Sequence, residues 1–265
     1  MTVKNMVSRA LLAALFTMVV VGCSGDDEEG GMVASEQSKV LNREKTGSSA
    51  YDLLSAETYS KIVLEFIYVE GYEPAAQSVE NLKSFIEARM HKPGGIVIEE
   101  RWIDSPGLSE YSVNDVFELE KEERMRYSDK EEGEITVFAF FADQASDKNE
   151  GNKVTLGAAY LNTSFVIYES TIREVSGRAG TSGRISMEST VLQHEFGHLL
   201  GLVDLGTPMQ EDHLDEENGH HCDNEDCLMY YQAESGGGIS GLINGGSIPQ
   251  LHAQCLADLR ANGGK

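Results

Sequence analysis

Positive charge is scarce in this chain: 21 Lys and Arg stand against 44 Asp and Glu in 265 residues, a formal charge of -23. Phosphate backbones are bound by clustered cations, so this balance excludes a nucleic-acid partner and predicts a soluble, strongly acidic surface. Cysteine is scarce as well. Four are present, none of them between residues 24 and 221, so no disulfide framework holds the bulk of the chain. The apolar run from Leu11 to Val21 is too short to span a bilayer, and no internal repeat is visible. What is present looks ordinary: 40% hydrophobic and 25% charged residues are near globular averages. The length suits one domain of roughly 200 residues with a short extension, read here as a monomer.

The start of the chain is a targeting segment. Lys4 and Arg9 precede the apolar run, and Val20-Val21-Gly22-Cys23 closes it, the layout of a signal peptide. That ending resembles a bacterial lipobox, which implies cleavage before Cys23 and acylation of its sulfur, so that the mature protein is held on a membrane. By the same resemblance, Ser24 favours the outer membrane, and Asp26-Asp27-Glu28-Glu29 is similar to the acidic export tag of surface-exposed lipoproteins. The plainer alternative for the acidic run is a solvated tether. Residues 23–50, small and polar, are expected to be that tether, with the folded domain from 51 to 265.

Strand and helix patterns then alternate. Lys61 to Val69, Ile96 to Ile103 and Glu134 to Phe141 read as strands, with shorter ones at Thr155 to Tyr160 and Ser164 to Tyr168. Helical periodicity runs from Pro74 to Met90, from Asn114 to Tyr127, from about Ser186 to Leu200, and in a short stretch from Leu251 to Arg260. Gly177, Gly180 and Gly183 mark a flexible loop. These elements predict an α+β fold: a mixed sheet, a helix carrying the site, and a smaller irregular C-terminal subdomain.

The chemistry is concentrated in His194-Glu195-Phe196-Gly197-His198. Histidines four apart on a helix point the same way and can chelate one zinc ion, with Glu195 placed as general base for a water that the metal acidifies. Gly201 and Asp204 extend the segment to H-E-x-x-H-x-x-G-x-x-D, which resembles the metzincin clan of zinc metallopeptidases. The resemblance implies a sharp turn at Gly201 and a third ligand three residues later. Asp204 is the expected ligand where most of the clan has His, and His213 is the alternative; His220 and His221 read as solvated. It also implies a Met-containing turn beneath the metal, supplied by Met229, and a Tyr two residues on, Tyr231, that stabilises the oxyanion. Leu156 to Tyr160 is the candidate edge strand for an extended substrate. The lack of Cys upstream excludes a cysteine-switch propeptide of the matrix-metalloproteinase type.

Apart from Cys23, the cysteines are Cys222, Cys227 and Cys255, an odd number. Cys222-x4-Cys227-x-Met229, preceded by His221, is similar to the middle of the archaemetzincin pattern, in which four cysteines hold a second, structural zinc. Two arrangements stay open: a second zinc held by Cys222, Cys227, His252 and Cys255, or a disulfide from Cys222 to Cys227 or Cys255. The expectation is a membrane-tethered zinc endopeptidase acting on proteins or peptides. The competing expectation is a non-catalytic surface-binding lipoprotein in which zinc only organises structure.

Overall fold

The centre of the fold is β1 (Lys61–Val69), because both of its faces are apolar: Ile62, Leu64, Phe66 and Tyr68 alternate with Val63, Ile67 and Val69, all buried. Such a strand needs cover on both sides. It pairs in parallel with β2 (Gly95–Ile103) and with β3 (Glu134–Phe141). β5 (Ser164–Ile167) adds in parallel to β3, and β4 (Gly157–Leu161) lies antiparallel to β5, giving the order β2-β1-β3-β5-β4. Parallel neighbours require crossovers, supplied here by α3 (Ala76–Arg89) and α4 (Val113–Glu123). α3 and the long α6 (Gly180–Leu199) pack on one face with Leu64, Phe66 and Phe141, while Val116 of α4 meets Ile67, Phe138 and Phe140 on the other. Each such side chain, fully buried, contributes about 1.5–3 kcal/mol.

The structure is a computed structural model that describes residues 36–151, 153–177, 180–233, 235 and 247–265. The signal segment, Cys23, the acidic run and the Gly236-Gly237-Gly238 run lie outside the described residues. Among the described residues no helix is long and apolar enough to cross a membrane.

The mixed sheet and its helices follow the expected α+β order, with shifts that have local causes. α4 starts on a capping box between Ser112 and Asp115 and stops at Glu123 rather than Tyr127. Arg124 leaves the helix so that its guanidinium, 0% exposed, can bond Glu120, Ser164 and the Thr136 carbonyl. A helix that the sequence did not announce, α5 (Glu169–Ser176), follows β5. α6 begins at Gly180, inside the expected glycine loop, where Arg184 pairs one turn ahead with Glu188 and across to Glu169. The chain ends in α7 (Ala253–Ala261).

The expected tether needs correcting, because its described part is folded. α1 (Glu36–Leu41) leads into Asn42, which is 1% exposed and donates to Ser128 Oγ and Thr163 Oγ1, both at 2.9 Å, while accepting from Ser128 N at 2.8 Å. Asn162 fixes the same stretch, donating to the Leu41 carbonyl at 2.7 Å and accepting from Glu44 N at 3.0 Å. Polar composition predicted solvation, but satisfied amides can be buried at little cost, whereas leaving one unpaired costs about 1–3 kcal/mol. Beyond it, Gly47 (φ +80°) lies so close to the Leu205 carbonyl that no side chain fits, and α2 (Ala50–Leu54) follows. The segment therefore packs on the turn after α6 and delivers Thr46 to the cleft described next.

Candidate metal centre

α6 carries His194, Glu195 and His198 on a buried face, at 0%, 0% and 6% exposure. The two imidazoles face each other with Nε2 atoms 3.1 Å apart. Nitrogens that share one zinc at about 2.0–2.1 Å each must lie within about 4 Å of one another, and this pair does. His194 Nδ1 sits 2.7 Å from the Leu228 carbonyl. A carbonyl only accepts, so Nδ1 carries the proton and Nε2 is left with the lone pair that a metal needs. Desolvation, followed by the neighbouring His194, His221 and His220, drives His198 well below the usual histidine pKa and keeps it neutral.

The third member is His221. Its ring centroid is 5.3 Å from those of both His194 and His198, which are 4.7 Å apart, and its candidate ligand atom lies within 4.8 Å of theirs. His221 is 7% exposed rather than solvated, and its Nδ1 faces the Asn218 carbonyl at 3.2 Å. Asp204, the expected third ligand, is exposed and stands outside this group. The reason is the backbone. Gly201 does take the predicted turn (φ +73°), its carbonyl accepting from Thr207 N at 2.9 Å. Val203 and Asp204 then also adopt positive φ, 51° and 64°, and the chain coils into a tight turn instead of extending back to the histidines. The alternative, His213, is buried elsewhere.

Met229 packs against α6: a side chain at Gly197, between the two helix histidines, would strike the Met229 sulfur. The preceding Leu228 supplies the carbonyl that orients His194. Tyr231 lies in a short 3-10 turn (Tyr231–Ala233), with its hydroxyl accepting from Gln232 Nε2 at 3.0 Å. It is not among the residues lining the cleft over the histidines. That cleft, about 420 Å³, is lined by Thr46, Gly157, Ala159, Glu195, His198 and His221 among others. Its wall is β4, the edge strand of the sheet, and the Ala159 N–H donates to Glu195 Oε2 at 2.7 Å.

A second group lies behind the first. His213, Cys222 and Cys255 bring their ligand atoms within 4.8 Å of one another. Cys227 Sγ is 3.7 Å from Cys255 Sγ and also contacts the Cys222 thiol. All three cysteines are free and buried. Hydrogen bonds from Cys222 and Cys255, helped by the N–H groups of His252 and Met229, pull the Cys227 thiol down, while its contact with Cys227 pushes Cys222 up to about 12. His213, not His252, is the imidazole of this group: its Nε2 meets Asp258 Oδ2 at 2.7 Å and its Nδ1 is 3.9 Å from Cys255 Sγ. His252 contributes its main-chain N–H to Cys227 Sγ at 3.3 Å, and its ring is outside the group. Asp258, on α7 and 0% exposed, was invisible as a site residue in the sequence.

No protein-family model and no curated protein matches the chain. Among solved structures, it is similar to the crystal structure of archaemetzincin from Methanopyrus kandleri, at 14% identity and a TM-score of 0.49, over 77% of this chain and 96% of that one.

Proposed function

We propose that this chain is a zinc-dependent peptidase whose metal is held by His194, His198 and His221, with Glu195 as general base. The observation that carries the reading is the placement of Glu195: beside three grouped, buried histidines, on the wall of an open cleft. A purely structural site would close its shell with a fourth protein ligand and leave no base alongside. Zinc bound there would supply Lewis acidity, polarising a scissile carbonyl and acidifying a water. The rest of the work belongs to the protein. Glu195 takes the proton of the attacking water and returns it to the departing nitrogen. Among the described strands β4 is an edge, and apart from the Ala159 N–H held by Glu195 it offers main-chain groups with which an extended peptide can pair, a mode that fixes the scissile bond by main-chain hydrogen bonds. His194 is kept in its ligating tautomer by the Leu228 carbonyl.

The metal content we propose is two ions, the second a closed structural zinc held by Cys222, Cys227, Cys255 and His213. Three sulfurs and one nitrogen suit tetrahedral zinc, and Asp258 is the outer partner expected of a ligating imidazole. We also propose that Cys23 is acylated and holds the enzyme on the bacterial outer membrane, facing protein or peptide substrates outside the cytoplasm. Radiolabelled palmitate incorporated by wild type and not by Cys23→Ala tests the anchor. The peptidase reading is tested with purified protein and an unbiased peptide library. Cleavage that a chelator stops and zinc restores supports it. Protein loaded with zinc at the histidines that cleaves no member of the library overturns it.

A further inference from the structure

We infer that β4 positions the general base directly, through the absence of a side chain at Gly157 and through the main-chain N–H of Ala159. The inference rests on the peptidase reading and goes beyond it in assigning these two positions.

Position 157, buried at the start of β4, is a glycine and so has no side chain to pack there. Backbone conformation does not require it, since its φ lies outside the left-handed region that the chain's turn glycines occupy. What requires it is Glu195. A Cβ at position 157 would lie 2.7 Å from Glu195 Oε1 and 2.8 Å from Glu195 Cγ, with Val191 Cγ1 also at 2.8 Å. The glutamate side chain is pressed onto the bare Cα of the strand. Two residues along, the Ala159 N–H holds the other oxygen, Glu195 Oε2, at 2.7 Å. β5 pairs with β4 on the opposite side, so this N–H comes from the free edge of the sheet. α6 alone fixes only the Cα of Glu195 and leaves three side-chain torsions to settle. β4 removes that freedom by blocking one side of the carboxylate and bonding the other.

Two alterations separate positioning from mere packing. In Gly157→Ala the added methyl displaces the carboxylate, and kcat is expected to fall about 100-fold, the cost of an ångström-scale misplacement. KM and the zinc content at the histidines stay near wild type. The thermal midpoint falls as well, and falls less when the same change is made in a Glu195→Ala background, where the obstructing Cγ and Oε1 are gone. If Gly157→Ala does not fold, the second alteration carries the test: an ester in place of the 158–159 peptide bond deletes the N–H without adding bulk and is expected to lower kcat at unchanged KM. Wild-type kcat in either protein overturns the inference and leaves the peptidase reading standing, as does an equal loss of thermal midpoint in both backgrounds. Wild-type protein with no turnover overturns both.

Discussion

The histidine group and the thiol group share one loop, residues 221–229, and differ in what surrounds them. From that loop His221 joins His194 and His198, Leu228 orients His194, and Met229 fills the space under Gly197. From the same loop Cys222 groups with Cys255 and His213, Cys227 lies against Cys255, and the Cys222 N–H closes the loop on the Met229 carbonyl at 2.7 Å. One group opens on a cleft with a carboxylate beside it. The other is buried, and the carboxylate beside it, Asp258, is bonded to the His213 imidazole. With zinc in both groups as proposed, access, more than ligand chemistry, is what would separate a reactive site from a structural one.

Four sets of substitutions put this difference to the test. Glu195→Gln should lower kcat by about a thousandfold, within the range expected for a lost general base, and keep full zinc at the histidines. Loss of zinc together with turnover would make Glu195 a structural residue. His221→Ala should weaken zinc at the open site by more than the 10–100-fold typical of losing an outer partner, measured against a competing chelator, while Asp204→Ala changes nothing. The reverse result would return the third ligand to Asp204. Cys255→Ser should remove the second ion from elemental analysis and cost about 2–4 kcal/mol in denaturant unfolding, whereas His252→Ala should do neither. Asp258→Asn should weaken only the sealed site, by about 10–100-fold. If the open site weakens equally, the two are one cooperative unit.

What the sequence disclosed was whatever depends on local spacing. The strands of β1, β2 and β3 show their apolar patterns in consecutive residues, and His194, Glu195 and His198 are set by the pitch of a single helix. Gly201 was legible because a positive φ favours glycine. His221 was not, because Val203 and Asp204 take the same conformation with side chains that rarely adopt it. Nothing in their identity announces a turn that throws Asp204 outward and sends the chain on a detour before a histidine returns. The pairing of His213 with Asp258 spans 45 positions and has no periodic signature. Asn42 misled for the opposite reason: its polarity argued for solvent, and only three partners from distant strands and loops make its burial cheap.

The detour between α6 and His221 bears on how the proposed peptidase would be reshaped. It is pinned at its start, where Thr207 bonds the Leu200 and Gly201 carbonyls, at its middle by His213 on Asp258, and at its end by Cys222. Between the last two pins, Asn218, Gly219 and His220 reach the rim of the cleft. Closing a longer loop between fixed ends costs only about 0.6 kcal/mol for each doubling of its length. On the proposed reading, residues 214–220 are thus a natural splice point, where sequence can be exchanged to alter which peptides are admitted as long as the main-chain carbonyl at position 218 still faces His221.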